Sequence, residues 1–324
     1  MGILNVTPDS FSDGGQLPNT QSLLDRAAAM LAAGADVLDL GGESTRPGAA
    51  PISATEELDR VLPALAALRR AFPHAPISID TYKPAVAATA IAAGADIIND
   101  VWGATHGLTP EQRHAALQLL ATPANRKLSS PHPETTSAAQ QSAVSDQQSS
   151  SPQPETRNPK PETPALPISS EMAVTAATLR APLILMHNRP DRAYGDFWAD
   201  FLADLRLSLA LARVAGVPRH QLWLDPGFGF AKEPAHNLEI VKNLHRVAAL
   251  GYPVLLGASR KSTLGRVLDD APAHDRLEGT AAATVWGIQQ GAAMIRVHDV
   301  PQLRRTLQMA DALRAGLNWN NPSA

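Results

Sequence analysis

The joint Ala33-Gly34-Ala35-Asp36 returns as Ala93-Gly94-Ala95-Asp96, with a looser copy at Gly291-Ala292-Ala293. Each copy is followed at once by a short apolar run: Val37-Leu-Asp-Leu40, Ile97-Ile98-Asn99 and Met294-Ile295-Arg296-Val297. Ahead of the first, Leu24, Ala27, Ala28 and Leu31 are spaced for one helix face. Glycine tolerates the left-handed conformation that ends many helices, so each joint reads as helix, stop, buried strand. Strands entered repeatedly from helices are parallel, because a parallel pair needs a crossover between its members.

Extended along the chain, the pattern predicts eight strands over residues 2–6, 37–40, 77–79, 97–99, 183–186, 222–224, 254–256 and 295–297. Helical spacing separates them, as in Phe197, Phe201, Leu205 and Leu209, or Val300, Leu303, Leu307 and Ala310. Eight such units predict an α/β protein of the (β/α)₈ TIM-barrel class, with an open doubly wound sheet as the alternative. The 324 residues fit one barrel domain, 1–324. Gly227-Phe-Gly229 lacks the third glycine of a dinucleotide fingerprint, because Lys232 stands there. Ser259-Arg260-Lys261-Ser262 shares only its last two letters with a phosphate-binding loop.

Residues 121–170 break the rhythm. They are rich in Ser, Pro, Gln and Thr, without an aromatic residue. Such a segment buries too little apolar surface to offset its ordering entropy, and is expected to be a low-complexity, disordered insertion after strand four.

Composition excludes several kinds of protein. With no cysteine, disulfides, thiolate catalysis and cysteine metal sites are ruled out. A net charge of −3 offers no electrostatic case for nucleic acid or an anionic membrane. No apolar run approaches the roughly 18 residues of a membrane helix, and a cytoplasmic location is the default expectation.

The chemistry gathers where the strands end. The first run, Gly2 to Val6, contains Asn5 and leads into the polar loop Thr7-Pro-Asp-Ser-Phe-Ser-Asp-Gly-Gly15. A buried amide is costly without partners, so Asn5 belongs to a local network or faces a ligand. Strand two leads into Gly41-Gly-Glu-Ser-Thr45-Arg46-Pro47-Gly48; strand three ends at Asp80, strand four at Asn99-Asp100 and strand five at Met186-His187. Strand six ends in Asp225-Pro-Gly-Phe-Gly-Phe230, strand seven leads into Ser259-Arg260-Lys261, and strand eight holds Arg296 and ends at His298. Taken singly, Asp80 reads equally as a helix cap, Arg296 as a core ion pair and His298 as a satisfied histidine. Together they would share one barrel mouth. Asp80, Asn99 and Asp225, edged by Met186 and Phe230, suit a flat heterocycle with adjacent N–H groups, since a carboxylate accepts two parallel charge-assisted hydrogen bonds. Lys261, Arg46, Arg296 and His298 suit a phosphate or carboxylate. Asn5 offers a neutral oxygen to Mg²⁺, which takes few protein ligands. A planar base bearing a diphosphate, with displacement of that diphosphate, is the chemistry these groups suggest.

The same strings resemble the signatures of the dihydropteroate synthase family. Met1–Gly15 is similar to its first signature and Leu38–Gly48 to its second, while Asp225–Phe230, Ser259–Lys261 and Arg296-Val-His298-Asp299 match further motifs in order. The resemblance implies condensation of 6-hydroxymethyl-7,8-dihydropterin diphosphate with 4-aminobenzoate. It implies Mg²⁺ as cofactor, held at Asn5, and pterin held by Asp80, Asn99, Asp225 and Lys261. It places Thr45, Arg296 and His298 on the diphosphate, and Phe11, Arg46, Pro47 and Ser262 around 4-aminobenzoate, where sulfonamides compete. Asp80, Lys261 and Arg296 are the expected catalytic residues, and a homodimer through barrel helices is the expected assembly. The rival readings are a pterin-binding methyltransferase domain and a non-catalytic pterin-binding paralogue. The family usually carries extra residues before the opening motif, so the expectation here is either a true start upstream of Met1 or a less tightly closed barrel floor. The loop His187-Asn-Arg-Pro-Asp-Arg-Ala-Tyr194 departs from the family pattern beside the pterin pocket.

Overall fold

A computed structural model of the chain describes residues 1–7, 20–44, 49–122 and 168–318. Its eight strands are β1 (Gly2–Asn5), β2 (Leu38–Gly41), β3 (Ile77–Asp80), β4 (Ile97–Asp100), β5 (Leu183–Met186), β6 (Leu222–Asp225), β7 (Val254–Leu256) and β8 (Ala292–Ile295). They lie side by side in chain order, all pairs parallel. The sheet closes on itself just beyond β8: Val297 bridges Gly2, its amide donates to the Met1 carbonyl at 3.0 Å, and its carbonyl accepts from Ile3 at 3.0 Å. The (β/α)₈ barrel is the observed fold, and the open sheet is set aside.

The main crossover helices are α1 (Thr20–Ala32), α2 (Ala54–Ala71), α3 (Pro84–Ala92), α4 (Pro110–Ala121), α5 (Glu171–Leu179), α6 (Phe197–Val214), α7 (Pro234–Lys242), α8 (His245–Ala248), α9 (Ser262–Val267), α10 (Leu277–Gln289) and α11 (Val300–Ala315). Successive strand residues point to opposite faces. Leu38, Leu40, Ile77, Ile79, Leu183 and Leu185 face outward into one large core with Val61, Leu65 and Leu68 of α2 and Phe201, Leu205 and Leu209 of α6. Each such fully buried side chain contributes about 1.5–3 kcal/mol. A second, separate cluster of Met1, Val37, Ile184 and Leu255, with Ile97, Trp223 and Met294 against it, fills the barrel interior at the strands' N-terminal ends. The opposite end is left to polar side chains.

Several boundaries differ from the sequence reading. β8 begins at Ala292, three residues early, and stops before Arg296; two alanines, poor strand formers, disguised its start. Strands three, four and six each run on to their aspartate. In α1 the buried face is Leu23, Ala27 and Met30, while Ala28 is exposed. Ordered structure enters the expected insertion from both sides: α4 runs through Ala121, Ile168 packs on the core, and the Ser170 hydroxyl caps α5 by accepting from Ala173 N–H at 3.2 Å. Residues 123–167 lie outside the described residues.

Candidate active site

Where the strands end, the barrel opens into a cavity of about 510 Å³. Its wall carries Asn5, Asp80, Asn99, Met186, Asp225, Phe230, Lys261, Arg296 and His298, nine residues that the sequence pointed to, and Ser262 as well. Thr45 and Arg46, with Phe11 and Pro47, lie outside the described residues; Glu43 and Ser44, just before them, line the cavity.

At the floor, the buried Asp39 takes a 2.6 Å hydrogen bond from Arg296 Nε, and Arg296 Nη2 reaches Asp80 Oδ2 at 2.6 Å. Burial works against the guanidinium charge, but Asp39 and Asp80 outweigh it and raise its pKa. Arg296 is therefore an ion-pair centre and a wall of the cavity at once. Asp80 caps no helix: α3 starts from Lys83, and Thr81 Oγ1 accepts from the Lys83 amide at 3.2 Å. Burial pushes the Asp80 carboxyl up to about 7, with Arg296 opposing and Asp39 reinforcing the shift. Its Oδ1 is buried without a partner. Asn99 Nδ2 lies 3.3 Å from Asp39 Oδ2.

Further round the same wall, Asp225 Oδ1 accepts from Gly227 N–H at 2.7 Å. Burial raises its pKa, against Lys261 and that amide. Lys261 donates to the Phe228 carbonyl, and its Nζ sits 4.5 Å from the centre of the Phe230 ring, a cation–π distance. Burial lowers the Lys261 ammonium to about 8, with Asp225 opposing. The preceding Arg260 holds a left-handed backbone (φ 60°), supported by Arg276 donating to its carbonyl at 2.7 Å and by its fork onto Asp299. Strain of this kind persists only where the surroundings enforce it. Here it turns Ser259 and Lys261 into the cavity together.

His298 Nδ1 lies 3.0 Å from Ser259 Oγ, and burial, with Arg296 and Arg260 nearby, lowers the ring's pKa to about 3. The ring is thus held neutral, and it meets an anion through an N–H rather than through a charge. Two other rim residues turn away. His187 is buried outside the barrel wall, with Nε2 3.1 Å from Asp204 and Nδ1 2.9 Å from Lys232. Asp100 accepts from the amides of Trp102 and Ala104 at 2.9 and 2.6 Å and serves its own turn. The sequence reading gave neither Asp39 nor Lys232 a role at the site; the signal for Asp39 was a carboxylate enclosed by Leu38 and Leu40.

No cluster of three or more His, Asp or Glu side chains suited to a metal occurs among the described residues. The half-buried Asn5 fits a hard cation only as one oxygen ligand beside water and phosphate oxygens. The cavity lining combines two kinds of group. Asp80, Asn99 and Asp225 present acceptors for a flat N–H edge, and Arg260, Arg296 and His298 in the same lining offer donors to an anion.

Fold and site together define a barrel enzyme of the pterin-binding class, and the family model described as "Pterin binding enzyme" matches residues 1–129 and 164–298. The chain is 41% identical over 313 residues to the dihydropteroate synthase of Bacillus subtilis, covering 97% of this chain and 87% of that protein. The dihydropteroate synthase of Clostridium beijerinckii is 38% identical over 314 residues, 97% of this chain and 93% of its own. Among solved structures, the Clostridium difficile dihydropteroate synthase crystallised in the presence of pteroic acid superposes with a TM-score of 0.74 at 35% identity, covering 96% and 95% of the two chains. That of Xanthomonas albilineans with 4-aminobenzoic acid gives 0.72 at 32%, over 98% and 93%. The chain belongs to the dihydropteroate synthase family.

Proposed function

We propose that this chain joins 6-hydroxymethyl-7,8-dihydropterin diphosphate to 4-aminobenzoate, releasing diphosphate and forming 7,8-dihydropteroate for folate synthesis. The observation that carries the reading is the pairing of an acceptor cluster, with one Asp80 oxygen buried and unpartnered, against the cationic Arg296 in a single cavity.

In this reading Asp80, Asn99 and Asp225 accept from the N–H edge of the pterin, and the Lys261 ammonium donates to its carbonyl oxygen. Met186 and Phe230 cover the ring faces. The C–O bond between the pterin methylene and the diphosphate breaks first; the electron pair leaves with the diphosphate and the methylene becomes cationic. Arg296, His298 and Thr45 hold the departing anion. Asp80 lies where its charge stabilises the pterin cation. The amine nitrogen of 4-aminobenzoate, held at Arg46 and Ser262, then forms the C–N bond and gives its proton to water. Preorganised charges of this kind are each worth on the order of 10²–10³ in rate. A Mg²⁺ ion bound at Asn5 would supply charge neutralisation on the diphosphate oxygens.

Sulfonamides would compete at the aminobenzoate site, in keeping with the Yersinia pestis dihydropteroate synthase, whose structure contains a sulfonamide drug complex (33% identity, TM-score 0.73, 97% and 94% coverage). The reading includes one domain over 1–324 with its insertion at 121–170, a homodimer through barrel helices, and a cytoplasmic location. Among the described residues no helix is long and apolar enough to cross a membrane. The test is diphosphate release from the dihydropterin diphosphate with Mg²⁺, with and without 4-aminobenzoate. Release that requires 4-aminobenzoate and yields dihydropteroate is expected; pterin binding without turnover would overturn the assignment.

A further inference from the structure

The loop Asp225–Phe230 carries three cavity residues, Asp225, Gly229 and Phe230, and the carbonyl that holds Lys261, yet two side chains outside the cavity fix its shape. Lys232 is buried, with Nζ 3.0 Å from the Gly227 carbonyl, 2.9 Å from that of Phe230, 2.9 Å from His187 Nδ1 and 3.4 Å from the His187 carbonyl. All four neighbours are acceptors when the neutral His187 ring carries its hydrogen on Nε2 and donates it in a hydrogen bond to Asp204. A neutral amine would turn its lone pair toward one of them; an ammonium has three donors to offer. Burial drags the Lys232 pKa down, and Asp225 and Asp204 oppose that. Within the turn, buried Asn237 accepts from Gly229 N–H at 2.7 Å and donates to Thr263 Oγ1 at 3.0 Å in α9, the helix that Lys261 precedes.

We infer that Lys232 and Asn237 are positioning residues for the pterin half of the site: Lys232 holds the carbonyls at both ends of the Gly227–Phe230 turn and Asn237 holds the Gly229 amide within it, and together they set where Asp225, Phe230 and Lys261 stand. The inference rests on the pterin reading above. Neither residue lines the cavity: Lys232 acts through the loop, and Asn237 acts through the loop and through Thr263 beside Ser262, a bond that a Thr263→Val control removes by itself. Loosening the loop moves the pterin contacts and leaves those of 4-aminobenzoate in place.

The experiment compares Lys232→Met and Asn237→Ala with the unaltered enzyme, measuring KM for each substrate separately and kcat per folded molecule. Expected is a rise of at least tenfold in KM for the dihydropterin diphosphate, with KM for 4-aminobenzoate within twofold. A folded variant of either residue with an unchanged pterin KM, or with both KM values raised alike, overturns the inference. If Lys232→Met does not fold, Asn237→Ala read against Thr263→Val decides, since the Asn237 side chain holds the Gly229 amide of the same turn. Failure of the unaltered enzyme to make dihydropteroate would instead overturn the functional reading itself.

Discussion

Arg296 Nη2 lies 2.6 Å from Asp80 Oδ2, and the second oxygen of that carboxylate is buried without a hydrogen-bond partner. A buried carboxylate oxygen left unpaired is costly. At a cavity wall it marks the place of a ligand donor. Replacing Asp80 by Ala is expected to cut turnover by about 10²–10³ while the protein still folds, because Arg296 keeps Asp39. Steady-state kcat with saturating substrates checks this, and near-normal turnover would remove Asp80 from the mechanism.

Arg296 carries a second duty that Lys261 does not. Its removal would strand Asp39, fully buried, with the Asn99 amide at 3.3 Å as its other polar neighbour. Breaking a buried pair from one side costs about 3–5 kcal/mol. Arg296→Met is therefore expected to lower the unfolding free energy by about that much, and adding Asp39→Asn is expected to restore at least half of it, a coupling that a double-mutant cycle in urea would measure. Lys261→Ala should instead lose at least about 10² in turnover with the fold preserved. Equal destabilisation by the two single variants would contradict this division of roles.

Much of this site was legible because barrel topology sends every strand end to one mouth, so Asp80, Asn99, Asp225 and Arg296 converge without any knowledge of packing. What went wrong was the pleat. Met186 and Asn99 point inward, so His187 and Asp100, one residue on, must point outward. They do, one toward Asp204 and one into its own turn. By the same alternation Asp39, two residues before Gly41 and paired in register with Ser78, had to face the interior. Lys232 was less accessible to such reasoning, since only the folded loop shows four acceptors converging on its nitrogen.

The two shifted groups that flank the pterin contacts predict a narrow pH dependence. Asp80 loses its proton at about 7 and Lys261 at about 8, burial being the main cause of both shifts. The competent form needs a carboxylate and an ammonium, so kcat/KM for the dihydropterin diphosphate should rise through pH 7 and fall above 8, each limb with a limiting slope of about tenfold per unit. Lys261→Arg should flatten the alkaline limb. The contribution of Lys261 to stability has the opposite sign. Its folded pKa of about 8 lies below its ordinary 10.5, so between those values the unfolded chain binds more protons and stability rises with pH. Activity lost above pH 8 while resistance to urea is kept would support both parts. A flat profile to pH 9.5 would exclude Lys261 as the titrating group.

Gly227 and Gly216 separate steric cost from backbone cost within one molecule. Both hold positive φ, 66° and 97°. A Cβ on Gly216 would meet nothing within 4 Å, whereas one on Gly227 would stand 2.0 Å from the His187 carbonyl oxygen. That oxygen belongs to the backbone beside β5 and cannot swing aside, so the loop bearing Asp225 must move. Gly216→Ala is expected to cost about 1–2 kcal/mol, the left-handed penalty alone. Gly227→Ala adds a clash of backbone and side chain and should cost at least about 2 kcal/mol more, with loss of pterin affinity that Gly216→Ala does not share. Urea unfolding and equilibrium pterin binding on the two variants would decide the matter: equal destabilisation would mean the loop relaxes freely away from His187, and that its close seating is not what holds Asp225 in place.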